Sequence, residues 1–354
     1  MIRFSKLVAS PVGIVTLTLA ASVLPGSTPP PVDIGVEAAV RAVSGEELTI
    51  VEDAAPMREE RDGEGFVSVT ESGSVSIPEH PEEGISIAHA GGTIEVGLPA
   101  AERADEVDST TSGLLAYDND DGSYTVPIPG QQGDLQLNTV IESASAPTEY
   151  AYQLELPADV RVETERSAYA FLDAEGALVL MVAPPWARDA AGRLVPTHYD
   201  YAEGVLTHVV EHSADFDYPI VADPWLGVQL FGSWGTGTHL RQPMYSAWVT
   251  SQAVATLGAP SLLPMGVATS HTLWLSVMGS AGWREWTRRW PSLADKPSLR
   301  QQYDCHIHAG IAGLPFTRAY NLERSRPNRG TGGWASGVMR HRCNWAYATG
   351  TATN

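Results

Sequence analysis

The sequence predicts an α+β protein: an antiparallel β-sandwich or barrel-like domain followed by a small disulfide-closed C-terminal domain with short helices. Three observations predict it. About ten short strand-like runs lie between residues 66 and 221. Both cysteines, Cys305 and Cys343, lie near the C-terminus. The charge also changes sign, because residues 1–230 carry 10 basic and 38 acidic side chains, whereas residues 231–354 carry 12 basic and 4 acidic ones.

The charge of the whole chain limits its partners. The 354 residues include 22 Lys and Arg against 42 Asp and Glu, a net charge of −20. This net charge disfavours nucleic acid as the main partner of the whole molecule, so nucleic acid is not expected as a partner. The opposite charges of the two parts predict regions with different partners, or regions that attract each other.

Residues 1–26 are typical of a secretory signal peptide. Arg3 and Lys6 precede an apolar run at residues 7–19, and small residues follow at positions 20–22. A membrane anchor is the alternative. No other uninterrupted apolar run reaches 18 residues, so we expect a secreted or cell-envelope protein whose mature chain has no transmembrane segment.

Residues 27–65 form the second predicted segment, an acidic linker or pro-like segment. This stretch opens with three consecutive prolines, contains no aromatic residue and is weakly periodic. A short helix over about residues 36–43 is the alternative interpretation.

Residues 66–224 are predicted to form the β-rich domain. Runs such as FVSVT, GTIEVGL and YAYQLEL alternate apolar and polar residues, as half-buried strands do. Turn residues at positions 119–122, 173–176 and 189–192 separate such runs and favour antiparallel connections.

One of these turns has an acidic cluster. Asp118, Asp120 and Asp121 resemble part of a calcium-binding loop. The glycine and terminal glutamate of an EF-hand are missing at the required spacing. A solvated hairpin turn is therefore favoured over a calcium site.

Residues 225–354 are predicted to form a basic domain rich in Trp and Arg. Residues 242–283 contain no charged side chain but several Gly and Pro. This pattern favours two short helices joined by a Pro-rich corner and buried under the domain. A hairpin that inserts into a membrane is the alternative, because small residues are common at packed membrane helices.

Two sets of side chains in this domain are candidate binding residues. Trp283, Trp286 and Trp290 share one face of a helix, where they could pack in the core or contact a membrane surface or sugar rings. Six arginines could bind phosphate-rich polymers, acidic lipids or the acidic part of the chain, or form a solvated face: Arg318, Arg324, Arg326, Arg329, Arg340 and Arg342.

Catalytic signals are weak. The chain has no G-x-S-x-G, H-E-x-x-H or P-loop motif. His308, Glu323 and His341 are the remaining acid–base candidates because all three fall inside the loop that a disulfide would close. The sequence thus does not decide whether the chain is an enzyme, and favours one that is not.

No metal and no cofactor are predicted. His306 and His308 lie beside Cys305, but the paired C-x-x-C spacing of zinc sites is missing, and export favours a disulfide. The two histidines alternate along the sequence, which predicts an extended segment with both on one side.

Several segments of the chain resemble segments of known protein families. The segments APTEYAYQLELP (146–157), LVLMVAPPWARDAAGRLVPTHY (178–199) and YPIVADPWLG (218–227) resemble a region found in uncharacterised exported actinobacterial proteins. The segments KPSLRQQYDCHIHAG, YNLERSRPNRG and HRCNW are similar to a C-terminal domain of unknown function in the same proteins. The resemblance implies export, two-part architecture and pairing of Cys305 with Cys343. It implies no catalytic residue.

These observations predict an exported envelope or extracellular binding module. Its basic C-terminal domain would capture an anionic envelope polymer, a lipid surface or a protein partner. One alternative is a membrane-active, toxin-like effector masked by the acidic N-terminal region. The other is an extracellular hydrolase.

Overall fold

The computed structural model describes residues 34–44, 51, 53–60, 64–110, 113–257, 271–311, 318–330, 333, 335, 336 and 338–345. All of these residues belong to one compact unit, which runs from Pro31 to Asn354. The predicted signal peptide at residues 1–26 lies outside the described residues.

The first sheet has eight antiparallel strands, and one of its faces is buried. Its members are β1 (Met57–Glu59), β2 (Gly65–Val69), β3 (Gly73–Pro78), β4 (Ile85–His89), β5 (Gly92–Gly97), β10 (Glu149–Glu155), β15 (Thr197–Ala202) and β16 (Val205–Val210). Their order across the sheet is β1-β2-β3-β4-β5-β10-β16-β15. Along β10, buried Tyr150, Tyr152 and Leu154 alternate with exposed residues, as expected for a sheet with one solvated face.

The second sheet has ten strands. They are β6 (Asp108–Ser109), β7 (Leu115–Asp118), β8 (Ser123–Pro129), β9 (Leu135–Ile141), β11 (Arg161–Glu165), β12 (Ala168–Leu172), β13 (Leu178–Val182), β14 (Ala187–Arg188), β17 (Ile220–Ala222) and β18 (Trp225–Gly227). The main order is β11-β12-β13-β18-β9-β8-β7-β6, and β17 pairs with β9 and β14.

The two sheets enclose a common apolar core, which confirms the predicted sandwich architecture. Ile77, Ile87 and Tyr152 from the first sheet share this core with Leu137 and Phe171 from the second. Sixteen strands, β2 to β17, occupy the stretch where the sequence predicted about ten. The difference arises because several strands have only two or three residues and carry no visible periodicity.

The second sheet is buried on both faces in its centre. Every residue of β9 and of β13 is buried. Strand β13 is accordingly a continuous apolar run, LVLMV, whereas β9, LQLNTVI, includes buried polar side chains. Part of the outer face is covered by a helix and part by the C-terminal region.

That helix, α1 (Ile34–Val43), forms within the predicted acidic linker and matches the helical alternative. Its buried residues Val36 and Val40 pack on Val140 and Val221 of the second sheet. This part of the segment therefore belongs to the fold of the β-rich region.

The C-terminal region contains a third sheet and several short helices. The sheet has the order β19-β20-β21. These elements are β19 (Phe231–His239), β20 (Gln242–Val249), α2 (Ser251–Leu257), α3 (Thr272–Val277), α4 (Trp283–Arg289), α5 (Pro297–Ile311), β21 (Ala319–Glu323) and α6 (Val338–His341). A π-helical turn at Met278–Gly282 joins α3 to α4.

The uncharged stretch at 242–283 begins as strand β20 rather than as a helix. Two short helices, α2 and α3, follow as predicted. The predicted Pro-rich corner falls on residues 258–270, which lie outside the described part of the chain.

The predicted extended segment at His306 and His308 is wrong, because both residues lie in helix α5. Residues two apart on a helix do not share a side. His306 is accordingly buried, whereas His308 is exposed. Pro297 occupies the start of α5, where a proline is pre-organised for a helix.

The C-terminal region packs on the outer face of the second sheet. Ala170 and Met181 of that sheet share a second apolar core with Phe231, Trp274 and Trp286. This core joins residues on both sides of the predicted domain boundary at residues 224 and 225.

Two carboxylates add polar links. Glu165 of β11 accepts a hydrogen bond from the Leu273 N–H at 2.8 Å. Glu285 of α4 accepts from the N–H groups of Leu230 and Phe231 at 3.0 and 3.1 Å. Desolvation raises the pKa of Glu285 to about 7, because burial destabilises the charged carboxylate.

The disulfide between Cys305 and Cys343 is confirmed. The two Cα atoms are 5.5 Å apart, and the bond joins positions 38 residues apart. Cys305 lies in α5, and Cys343 follows α6. Both are buried beside Trp345, so the bond ties the end of the described chain to the centre of the region.

Candidate binding sites of the C-terminal region

The predicted Trp stripe lies mostly inside the protein. Trp286 is fully buried, and Trp283 and Trp290 are partly buried against the same core. Trp286 makes an edge contact with Phe231 at 5.6 Å between ring centroids and packs on Trp234 at 5.4 Å. This placement favours the core-packing alternative, since a ligand would have to open the core to reach Trp286.

The six arginines divide by environment. Arg326 is buried and donates to the Trp345 carbonyl oxygen at 2.9 Å. Arg340 and Arg342 are exposed. The remaining three are half-buried: Arg318, Arg324 and Arg329. Their binding role stays a prediction, but the structural part played by Arg326 removes its charge from the free surface.

The three acid–base candidates lie in different surroundings. His308 is exposed on α5, and Glu323 is buried at the end of β21. The imidazole in contact with Glu323 is that of His239, with 2.9 Å between Nδ1 and Oε2. His341 forms the end of α6, and its Nδ1 accepts from the Cys343 N–H at 3.0 Å. A catalytic role for the three stays a prediction.

Glu323 is at the centre of a polar cluster. Its Oε2 atom accepts from Arg326 Nε as well as facing His239. Its Oε1 atom accepts from Asn344 Nδ2 at 3.3 Å. A buried carboxylate that is bound on both oxygens serves to stabilise the loop after β21 and is poorly placed to take up a proton from a substrate.

Ser325 adds a hydroxyl to this cluster. Its Oγ atom lies 2.8 Å from Nδ1 of His239, the same nitrogen that faces Glu323. In a Ser-His-acid triad the hydroxyl and the carboxylate contact different ring nitrogens. The cluster therefore does not have triad geometry, and no sequence motif marks His239.

Beside Ser325 lies an open groove of about 700 Å³, the Lys296 groove. It is lined by Leu240, Gln242, Asp295, Lys296, Pro297, Arg324, Ser325 and Asn328. Lys296 and Arg324 outweigh the charge of Asp295, and Arg324 is held by a hydrogen bond from Nη1 to the Ser292 carbonyl oxygen at 3.0 Å. The groove thus presents a net positive charge together with neutral hydrogen-bonding side chains.

The rim of this groove is strained. Leu240 and Arg241, the two-residue turn between β19 and β20, have φ values of 50° and 62°. Such left-handed conformations suit Gly and Asn in a tight hairpin and are costly for other residues. The Leu240 side chain of this turn, 52% exposed, lies at the edge of the Lys296 groove.

A second, smaller opening of about 290 Å³ lies next to Trp248, the Trp248 cleft. Trp248 points outward from β20 and is 54% exposed. The cleft is lined by the loop before β9, the third sheet, the start of α2 and the segment before β1, and its walls include Asp53, Gln131, Gln132, Asp134, Gln252 and Arg318. An exposed aromatic ring thus lies beside several polar side chains.

The acidic turn of the β-rich region is a hairpin turn. It connects β7 to β8, and Asp118 Oδ1 accepts from the Asp120 N–H at 2.9 Å. Asp121 Oδ1 accepts from the Ser123 N–H at 3.1 Å, and Asp121 Oδ2 from Arg103. These bonds match the favoured interpretation of a turn.

Two further observations concern membranes and metals. Among the helices that the structure describes, none is long and apolar enough to cross a membrane. Within the same residues, no group of three or more His, Cys, Asp and Glu side chains is placed to hold a metal ion.

The comparisons with known proteins concern the C-terminal region. Residues 246–346 match the model of a family described as a protein of unknown function, DUF2599. The matched stretch contains both cysteines, Trp248 and most of the Lys296 groove. No curated protein matches the chain. The match agrees with the resemblance of the tail to a C-terminal domain of unknown function.

Proposed function

We propose that this chain is an exported envelope or extracellular protein that binds an anionic polymer through its basic C-terminal region. The observation that carries the proposal is the Lys296 groove, where a lysine and an arginine lie beside Ser325 and Asn328. Export is supported by residues 1–26, which have the pattern of a signal peptide. A disulfide is also typical of oxidising compartments.

Binding would rest on charge. The C-terminal region has 12 basic and 4 acidic residues beyond position 230, and exposed Arg340 and Arg342 extend its positive surface. An anionic chain would lie along the groove, with its charged groups near Lys296 and Arg324. Interactions between exposed charges are screened over about 8 Å at physiological salt, so capture would weaken as salt is added.

The test uses the full disulfide-bonded chain and purified teichoic acid, a phosphodiester wall polymer. We expect co-sedimentation at about 50 mM salt that weakens at least about tenfold at about 300 mM. The double variant Lys296→Ala/Arg324→Ala should weaken low-salt binding by a similar factor.

The matched control removes two positive charges elsewhere. Arg58 and Arg166 are exposed in the β-rich region, so Arg58→Ala/Arg166→Ala changes the net charge equally and should bind nearly as the parent does. Equal losses in both double variants would contradict a groove-specific role. Binding to phosphatidylglycerol vesicles but not to the polymer would support the membrane-active alternative instead.

A further inference from the structure

Trp248 is 54% exposed among the residues that the structure describes. Trp248 lies on β20, the central strand of the third sheet, between cross-strand partners Gly232 and Ala319. Its chain neighbours Ala247 and Val249 point to the opposite, buried face. Because both cross-strand partners are small, no large side chain beside it in the sheet covers the ring.

The side chain of Gln132 lies close to the strand at position 232. A Cβ atom on Gly232 would lie 2.6 Å from Oε1 of Gln132. The Gln132 amide therefore lies directly over the strand and forms part of the cleft wall next to Trp248.

A buried, unsatisfied donor lines the same cleft. Arg318 donates from Nη2 to Ser251 Oγ at 3.1 Å, but its buried Nε has no hydrogen-bond partner among the residues that the structure describes. Leaving a buried charged donor unpaired is unfavourable. Arg318 lines the cleft, so its guanidinium group can donate to a ligand oxygen there.

The remaining walls supply acceptors and amides. Asp134 is fixed, because its Oδ2 accepts from Trp225 Nε1 at 2.8 Å and its Oδ1 from the Gln132 N–H at 3.1 Å. Desolvation raises the pKa of Asp134. Asp53 and Gln131 lie nearer the opening, where both residues are exposed.

We propose that the Trp248 cleft binds a pyranose residue of a glycan chain, which stacks on Trp248 while its oxygens contact Arg318, Gln132 and Asp53. A sugar ring has one apolar face of C–H groups and a rim of hydroxyls, which matches an aromatic ring bordered by amides, a carboxylate and an arginine. The volume of about 290 Å³ admits one such ring. The cleft is open to the surface, so the glycan chain can continue beyond it.

This site is independent of the proposed capture of anionic polymers. It has different residues, and it recognises a ring and its hydroxyls rather than a charge. Uncharged oligosaccharides therefore test it alone, because the Lys296 groove gives them little electrostatic attraction.

The experiment is isothermal titration calorimetry of the full disulfide-bonded chain with cellohexaose, maltohexaose and the hexamer of N-acetylglucosamine. We expect at least one to bind, with little change when salt is raised. Trp248→Ala should weaken that binding at least tenfold, whereas Trp248→Tyr, which keeps a ring, should remain within about threefold of the parent.

Controls separate the site from the fold and from the groove. Leu240→Ala removes another large exposed apolar side chain and should leave sugar binding unchanged, as should Lys296→Ala/Arg324→Ala. Far-ultraviolet circular dichroism checks that Trp248→Ala is folded, which its outward position favours. The proposal is overturned if none of the three oligosaccharides binds, or if folded Trp248→Ala binds as tightly as the parent.

Discussion

At the scale of single residues, buried Asp223 connects two of the segments that carried the family resemblance. Its Oδ1 atom accepts from the Trp186 N–H at 2.9 Å, and its carbonyl oxygen contacts His208 Nδ1 at 2.6 Å. Desolvation raises the pKa of Asp223 to about 8, and lowers that of His208 to about 4. The ADPW segment at residues 222–225 thus places a carboxyl group with a raised pKa beside an imidazole with a lowered pKa inside the sandwich.

This pKa makes stability depend on pH. The unfolded chain releases the Asp223 proton near pH 4, whereas the folded chain keeps it up to about pH 8. Stabilisation of the folded state is therefore complete below pH 4 and is lost as pH rises towards 8. In urea unfolding, the parent should lose about 1 kcal/mol more than Asp223→Asn between about pH 7 and pH 8.5. Parallel pH profiles for the two proteins would show that Asp223 is already ionised in the folded state.

At the scale of elements, α1 tests whether the segment before the β-rich region belongs to the fold. Ala39 is buried against the second sheet, while its neighbour Ala38 is exposed. Ala39→Asp places a charge in that apolar contact and should lower the free energy of unfolding by about 2–4 kcal/mol. Ala38→Asp, the same change one position away, should cost less than about 0.5–1 kcal/mol. Equal effects in urea unfolding would show that α1 does not contribute to stability.

Elements with clear periodicity were predictable, and those set by tertiary contacts were not. The alternation of SVSI or TIEV identified β3 and β5, whose buried residues occupy every second position. Helix α5 was missed because its buried face mixes Ser298, Gln302 and His306 with apolar residues. Their burial follows from long-range contacts, such as the hydrogen bonds of Gln302 with both the N–H and the carbonyl of Glu323. A local sequence pattern does not predict such contacts.

The candidate sites were also only partly predictable from local sequence patterns. Trp283, Trp286 and Trp290 attracted attention because their spacing is helical, but a helical stripe marks a buried face as readily as a binding face. Trp248 was not predicted as a binding residue, because it lies in a stretch that was interpreted as helical. Its exposure depends on the pairing of β20 with Gly232 and Ala319, which lie 16 residues before it and 71 after it.

At the scale of the whole molecule, the shared core couples regions that the sequence separates by charge. Met181 and Trp225 of the second sheet belong to the same apolar core as Trp274 and Leu299. The carboxylates of Glu165 and Glu285 add hydrogen bonds to the backbone near this contact. A C-terminal region that unfolded first would expose the outer face of the second sheet to water, at a cost of about 25 cal/mol per Å² of apolar surface.

The two regions should therefore unfold together. Nine of the ten tryptophans lie in residues 225–354, so tryptophan fluorescence follows mainly that region, whereas far-ultraviolet circular dichroism is dominated by the 17 strands that precede residue 225. We expect the two signals to give coincident urea transitions. Removing the disulfide with Cys305→Ser/Cys343→Ser should cost about 2–4 kcal/mol and move both midpoints by the same amount. A fluorescence midpoint that falls alone would mean that the C-terminal region folds and unfolds on its own, and that the shared core is too weak to couple it to the sandwich.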